Sequence, residues 1–175
     1  MNKVKRLVLI AMLLAMAIVL SYVESFIPLF VPGVKLGLAN VIILIMLYEF
    51  KFYEALFVDL LRILLVSIII GSFLNPVFYM SLSGGIVSYI VMLIFTRIKV
   101  FSPIGTSVLG ALGHAFGQVV VASILMSTDL VFYYLPFIAI LSILTGILSG
   151  VITRIYLKRS PTKEIINSSN NEFLE

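Results

Sequence analysis

Long apolar segments, separated by short stretches that hold nearly all of the charges, make up most of this chain. Hydrophobic residues account for 62% of the 175 residues and charged residues for 11%, against about 25% in an average soluble domain. A soluble domain of this size would have a largely apolar exterior. We therefore predict that lipid is the solvent for most of the chain and that it is an integral membrane protein.

The apolar segments predict an all-α bundle of six transmembrane helices in one domain, residues 1–157. We expect the polar tail, residues 158–175, to be disordered. The first segment begins like a signal peptide but has no good cleavage site, so it is interpreted as the first helix. Pro28, Pro32 and Gly33 predict a break after it. The predicted helices cover residues 4–23, 36 to beyond 47, 54–73, 77–96, 104–126 and 130–157, the last interrupted or restarted at Pro136.

The placement of basic residues predicts that both chain ends lie in the cytoplasm. With six helices and an inner N-terminus, the outer segments hold only Lys35, and Arg62 lies within the third helix. The basic residues act as topology signals and lipid headgroup contacts, so the net charge of +4 indicates no nucleic-acid partner. The ten basic residues of the inner segments are Lys3, Lys5, Arg6, Lys51, Arg97, Lys99, Arg154, Lys158, Arg159 and Lys163.

Enzymatic chemistry is poorly represented in the sequence. The chain has no cysteine and one histidine, so we expect no disulfide, no metal site and no cofactor. It has no phosphate-binding Gly-x-x-x-x-Gly-Lys-Ser/Thr loop and no Asp-rich motif for magnesium and a diphosphate. We therefore expect no enzyme and no intrinsic ATPase. Any uphill transport would draw its energy from an ion gradient or from partner subunits.

Polar residues inside the membrane are the best guide to function, because an arginine there costs roughly 2.5–3.5 kcal/mol on insertion scales. Arg62 has Asp59 three residues earlier on the same helix face. The two either form an ion pair that stabilises the bundle, or Arg62 faces a cavity and binds an anionic substrate group. His114 and Gln118, one turn apart beside Gly113, either line a pocket or form hydrogen bonds between helices.

Other polar residues lie near the predicted outer ends of the helices. Lys35 precedes the second helix, where it either holds an anion or is a simple interfacial charge. The segment from Pro28 to Lys35 could be a lid over an outward-facing cavity. The candidate substrate-binding residues are therefore Lys35, Asn40, Arg62, Tyr79, Ser83, His114 and Gln118.

Small residues recur at four-residue spacing, which lets membrane helices approach closely. Gly113 with Gly117 and Gly146 with Gly150 are expected to pack within the bundle. For Ala11 and Ala15 on the first helix, a docking surface for another membrane protein competes with internal packing.

Four segments together form a more specific pattern than any one alone: Val31–Val41, the helix around Arg62 ending in Gly71–Phe73, Ser81–Met92, and Phe101–Gln118. They resemble the bacterial family labelled heptaprenyl diphosphate synthase component I, also called the Gx transporter family. That family is similar to the substrate-binding S components of energy-coupling factor (ECF) transporters.

The resemblance implies a multi-pass protein of the bacterial cytoplasmic membrane that binds a small molecule, of the vitamin or cofactor-precursor class, near its outer face. It also implies a transmembrane coupling subunit and two ATPase subunits as partners. S components carry an Ala-x-x-x-Ala element on helix 1 that contacts the coupling subunit, and Ala11 and Ala15 match it. The family pattern often has Asn after the helix-5 histidine, where this chain has Ala115.

The family label suggests an alternative, an accessory membrane subunit of isoprenoid or quinone biosynthesis. Prenyl chain elongation needs carboxylates that hold magnesium, and no suitable cluster is present, so the chain would assist the catalyst rather than be it. A membrane subunit for redox or flavin handling is a third possibility.

Overall fold

The computed structural model describes residues 3–27, 35–98 and 100–159. Within these ranges the chain is all-helical and contains no strand, as the sequence predicts. The elements are α1 Lys3–Glu24, α2 Asn40–Glu49, α3 Phe52–Ile69, α4 Pro76–Ile98, α5 Pro103–Met126, a short 3₁₀-helix Asp129–Tyr134, and α6 Leu135–Arg159. The proposed lid residues 28–34 and the tail from residue 160 onward lie outside the described residues, whereas Lys158 and Arg159, predicted as tail, belong to α6.

Four segments of the described chain are long and apolar enough to cross a membrane: Val4–Glu24, Pro76–Ile98, Pro103–Met126 and Asp129–Arg159. They indicate a membrane protein. Helix α3 has 18 residues but carries Glu54, Asp59 and Arg62. Helix α2 has only 10 residues, about 15 Å at 1.5 Å per residue.

Helix α2 lies at the centre of the bundle and packs against all five other helices. Its sequence, NVIILIMLYE, is apolar on every side, and residues Asn40–Met46 are all buried. A helix that is hydrophobic all round is stable only where apolar neighbours surround it. Protein rather than lipid therefore encloses residues Asn40–Met46 of α2.

Two helix boundaries differ from the sequence prediction for local reasons. Helix α2 begins at Asn40 rather than near residue 36, because Gly37 has a left-handed φ of 81°. Helix α3 ends at Ile69 rather than near residue 73. There Gly71 has a φ of 68°, and Ser72 N–H donates to the Ser67 carbonyl at 2.8 Å, which are the features of a Schellman C-cap.

Glycines bring α4, α5 and α6 into close contact, as expected for the two glycine pairs. A Cβ on Gly117 would lie 2.9 Å from the Ser83 carbonyl oxygen, and one on Gly150 would lie 2.5 Å from the Ile104 Cα. The alanine pair differs. Ala11 and Ala15 are exposed on the outer face of α1, while Leu13 and Ala17 face the bundle.

The start of α1 and the end of α6 lie at the same end of the bundle. Arg6 forms an ion pair with Glu54 at 2.6 Å, near the first turn of α3. The Tyr156 hydroxyl donates to Glu49 at 3.2 Å, at the last residue of α2. The basic residues of the described chain, Lys35 and Arg62 excepted, lie in the helix ends and turn on this side.

Candidate functional site

A small enclosed cavity lies among α1, α3, α4, α5 and the segment that leads into α2. It lies near the end of α1 and the start of α4, away from the end of the bundle where α1 begins and α6 ends. Its volume is about 10 Å³, which is the space of about one water molecule. Its polar wall consists of Ser21, Glu24, Lys35, Arg62, Ser67, Ser72, Ser81 and His114.

Arg62 both forms an ion pair and lines the cavity, so the two alternatives drawn from the sequence coexist. Its Nη2 pairs with the Asp59 carboxylate, and its Nη1 donates to Ser21 Oγ at 2.7 Å. Its Nε is buried and has no hydrogen-bond partner among the described residues. One guanidinium therefore joins α3 to α1 and keeps a further N–H available at the cavity.

Glu24, at the end of α1, supports the irregular segment before α2. Its Oε1 accepts hydrogen bonds from the main-chain N–H groups of Gly37 and, at 3.2 Å, of Leu38. Main-chain donors outside a helix need such a partner at membrane depth. Glu24 is not among the binding residues selected from the sequence. The sequence feature that could have identified Glu24 is its position, because it is a carboxylate immediately before a segment that contains prolines and a glycine.

Gln118 connects the same segment to α5. Its Oε1 accepts from the Lys35 main-chain N–H at 2.8 Å, and its Nε2 lies 2.6 Å from His114 Nε2. Because the amide oxygen faces an N–H, the amide nitrogen must face His114 and donate to it. His114 Nε2 is therefore the acceptor, and in the neutral imidazole the proton resides on Nδ1.

Two residues that line the cavity each have a buried polar atom without a hydrogen-bond partner in the described part of the chain. The atoms are Arg62 Nε and Ser81 Oγ, on residues that are only 5% and 8% exposed. The His114 ring lies beside the Gly84 backbone, to which it can donate. A buried polar group left without a partner costs about 1–3 kcal/mol. Both Arg62 Nε and Ser81 Oγ can donate a proton, so the cavity is suited to a group that accepts hydrogen bonds.

Lys35 adds a cation at the edge of this site. No ion pair of its ammonium group occurs within residues 3–27, 35–98 and 100–159. Burial lowers the pKa of Lys35 from its usual 10.5, and the nearby Glu24 carboxylate partly opposes that shift while Arg62 adds to it. Lys35 is therefore easier to deprotonate than a surface lysine.

Four of the seven predicted binding residues do not line the cavity: Gln118, which contacts it only through His114 and Lys35, and three residues that lie elsewhere. Asn40 is buried and donates to Ser88 Oγ at 2.9 Å, which joins α2 to α4. Ser83 donates to the Gly117 carbonyl at 2.8 Å, which joins α4 to α5. Tyr79 is 42% exposed and lies with Ser83 in an apolar surface groove between α4 and α5.

The described ranges contain no cluster of three or more His, Asp or Glu side chains that could hold a metal ion. The site instead combines acidic and basic side chains with buried hydrogen-bond donors that have no partner among the described residues. Lys35, Arg62, His114 and, through its two hydrogen bonds, Gln118 are the predicted residues that the fold brings together.

The apolar helices and the enclosed polar cavity define a helical membrane protein with a candidate small-molecule site. The sequence model of the family described as heptaprenyl diphosphate synthase component I matches residues 13–156. The chain belongs to this family. No curated protein and no solved structure shows significant similarity to the chain.

Proposed function

We propose that this chain is the membrane-embedded solute-binding subunit of an ECF-type transporter that takes up a small molecule. The observation that carries the proposal is the enclosed polar cavity, whose wall includes two residues with buried hydrogen-bond donors that have no partner among the described residues. Donors buried at membrane depth are costly, and intramembrane polar residues commonly mark substrate pathways. A membrane protein with a purely structural role would gain nothing from burying hydrogen-bond donors without partners.

The proposed topology has six crossings, with α2 and α3 added to the four strongly apolar segments. Both chain ends would be cytoplasmic, since the start of α1 and the end of α6 share one end of the bundle with most of the described basic residues. The cavity would then open toward the outside, in the outer half of a bacterial cytoplasmic membrane. This is where a subunit that captures an external solute needs its site.

The exposed alanine pair on α1 supports docking to a partner. Gly117 and Gly150 are in close contact with neighbouring helices of the same chain. Ala11 and Ala15 instead face outward and are exposed, with no described helix packed over them. Small residues at this spacing allow another membrane helix to approach closely, and we assign this face to the transmembrane coupling subunit.

In the proposed mechanism the chain is not an enzyme and has no ATPase of its own. It binds the solute from the outer side, and the ATP cycle of the partner complex reorients the bundle so that the solute is released inside. The cavity has room for about one water molecule, so the walls must separate for a solute to enter.

The test is copurification with a tagged coupling subunit and its ATPases after coexpression in membranes. Wild-type chain is expected to copurify, and an Ala11→Leu/Ala15→Leu variant is expected to lose the association. The matched control is Ile140→Phe/Leu144→Phe, which adds bulk to a pair of side chains on α6 that are each 60% exposed. Failure of the wild type to copurify, or full association of a folded alanine-pair variant, would contradict the proposal.

A second candidate function rests on the family's description alone. An accessory membrane subunit of isoprenoid or quinone biosynthesis would bind a prenyltransferase and change its product. The same purification, with a prenyltransferase replacing the coupling complex, discriminates the two functions. Association with the prenyltransferase and not with the coupling complex would favour this second function.

A further inference from the structure

We propose that an anionic phospholipid binds at the end of α6, with its phosphate on Arg159 and the start of an acyl chain on Ile155 and Ile152. This interaction goes beyond the proposed function and depends neither on the enclosed cavity nor on a coupling subunit. It follows from a surface groove, from the order of the side chains along that groove, and from the basic residues at its end.

The groove runs along the last two turns of α6 and has a volume of about 360 Å³. The described residues that line it are Ile152, Ile155, Tyr156 and Arg159. They are three or four positions apart and therefore share one face of the helix. Both isoleucines are exposed, so no described side chain covers them, and in a bilayer their neighbour is lipid. The groove is therefore a lipid-facing surface with a cation at one end.

The side chains along the groove follow the order of chemical groups in a phospholipid. Arg159 ends α6, and Ile152 lies seven residues earlier, about 10 Å deeper at 1.5 Å per residue. Between them, the Tyr156 hydroxyl donates to Glu49 at 3.2 Å, which fixes the ring as part of the wall. Tyrosine is typical of the headgroup level. A phosphate on Arg159 therefore leaves the glycerol beside Tyr156 and an acyl chain over the isoleucines.

The charge at this end of the groove selects an anionic headgroup. Arg154, Lys158 and Arg159 are all exposed, and none of them forms an ion pair within residues 3–27, 35–98 and 100–159. One carboxylate lies nearby, that of Glu49 beside Tyr156, and the three cations outnumber it. Basic pockets at the headgroup level of membrane proteins bind anionic lipid headgroups. A zwitterionic headgroup would bring its own cation to the same place and would be attracted less.

The test is native mass spectrometry of the full-length chain released from detergent micelles. Phosphatidylglycerol and phosphatidylcholine with identical acyl chains are added separately at matched concentrations. One phosphatidylglycerol is expected to be retained per chain, with phosphatidylcholine bound at least about fivefold more weakly, the effect of one basic residue near the headgroups. Equal retention of the two lipids would overturn the proposal.

A matched pair of arginine variants locates the headgroup. Arg159→Gln should lower the affinity for phosphatidylglycerol about fivefold and leave that for phosphatidylcholine unchanged. Arg97→Gln is the control, because Arg97 is exposed at the end of α4 on the same side of the bundle and does not line the groove. Both variants change the net charge equally. Equal losses in the two would mean that overall charge attracts the lipid, and would overturn the site.

A second pair of variants tests the position of the acyl chain. Ile152→Trp fills the groove and should weaken the binding of phosphatidylglycerol. Ile140→Trp adds the same bulk to an exposed side chain of α6 that lies outside the groove, and should have no effect. Unchanged binding by Ile152→Trp would overturn the placement of the chain. Displacement of the lipid by excess inorganic phosphate would show that a free anion, not a lipid, occupies the site, and would also overturn the proposal.

Discussion

The main-chain N–H of Lys35 donates to the side-chain oxygen of Gln118 at 2.8 Å, between residues 83 positions apart in sequence. This one bond joins the segment before α2 to α5 and orients the Gln118 amide. The orientation in turn determines which nitrogen of His114 carries the proton. Lys35, Gln118 and His114 therefore act as a connected unit at the cavity.

Replacing Gln118 should disturb this unit. In Gln118→Leu both the Lys35 N–H and His114 Nε2 lose their partner, so stability should fall by about 1–3 kcal/mol. The histidine should also become a mixture of tautomers in the ¹⁵N NMR spectrum of protein labelled with ¹⁵N-histidine. Asn40→Leu, which breaks the bond to Ser88, serves as the control, because it should lower stability and leave the tautomer unchanged. A pure Nδ1–H spectrum in Gln118→Leu would show that Gln118 does not set the tautomer.

Glu24 should matter as a hydrogen-bond acceptor more than as a charge. Glu24→Gln keeps an oxygen for the N–H groups of Gly37 and Leu38, whereas Glu24→Leu leaves both without a partner. At about 1–3 kcal/mol for each buried donor, the leucine variant should be less stable than the glutamine variant by roughly 2–6 kcal/mol. Thermal unfolding in detergent measures the difference. Equal stability of the two variants would mean that other groups satisfy this segment.

The buried Arg62–Asp59 pair should show a strong coupling between its members. Asp59→Leu leaves a buried guanidinium without its carboxylate and should cost about 3–5 kcal/mol. The double variant Arg62→Met/Asp59→Leu should recover much of that loss, because the remaining charge is also removed. A double-mutant cycle by thermal unfolding tests this. Additive losses would indicate that Arg62 is neutralised by another group, such as Glu24.

Added bulk should lower the stability of the chain at a small residue on α6 but leave it almost unchanged at one on α1. Gly150→Ala places a Cβ 2.5 Å from the Ile104 Cα, so overpacking should cost about 1–3 kcal/mol. Ala11→Leu points away from the bundle and should change stability by no more than about 0.5 kcal/mol. Thermal unfolding of the isolated chain compares them. A larger loss for Ala11→Leu would show that this residue packs within the bundle.

The lowered pKa of Lys35 predicts a pH dependence of stability. In the unfolded chain Lys35 keeps its proton up to a pH near 10.5. In the folded chain it loses this proton at a lower pH. Between the lowered pKa and 10.5 the unfolded state therefore binds more protons, and stability should rise with pH. Lys35→Met should remove this contribution, so its unfolding temperature should depend less steeply on pH across that window. Parallel profiles would contradict the assignment.

Much of the helical architecture could be predicted from local sequence. The start of α5 follows from Ser102 and Pro103, which provide an N-cap and a favourable first helical position. The restart at Pro136 corresponds to the change from the 3₁₀-helix to α6. The start of α2 could not be predicted in the same way, because it depends on Glu24, which supports Gly37 from another helix.

The candidate site was only partly predictable, because sequence patterns do not specify how each helix is rotated within the bundle. Lys35, Arg62 and His114 were selected for their polarity, and the fold brings them to one cavity. On α4, Tyr79 and Ser83 were selected but Ser81 is the residue that reaches the cavity. Residues two apart on a helix point in nearly opposite directions, and only packing against α3 and α5 decides which one faces inward.

The short central helix α2 has a consequence for biogenesis. With 10 residues, it falls well below the roughly 20 that the insertion machinery needs to recognise a span by itself. In the proposed topology of six crossings, its entry into the bilayer would therefore depend on the flanking segments and occur as one unit with α1 or α3. Truncated nascent chains that end after α2 should leave this segment outside the membrane, and synthesis of the next helix should draw it in.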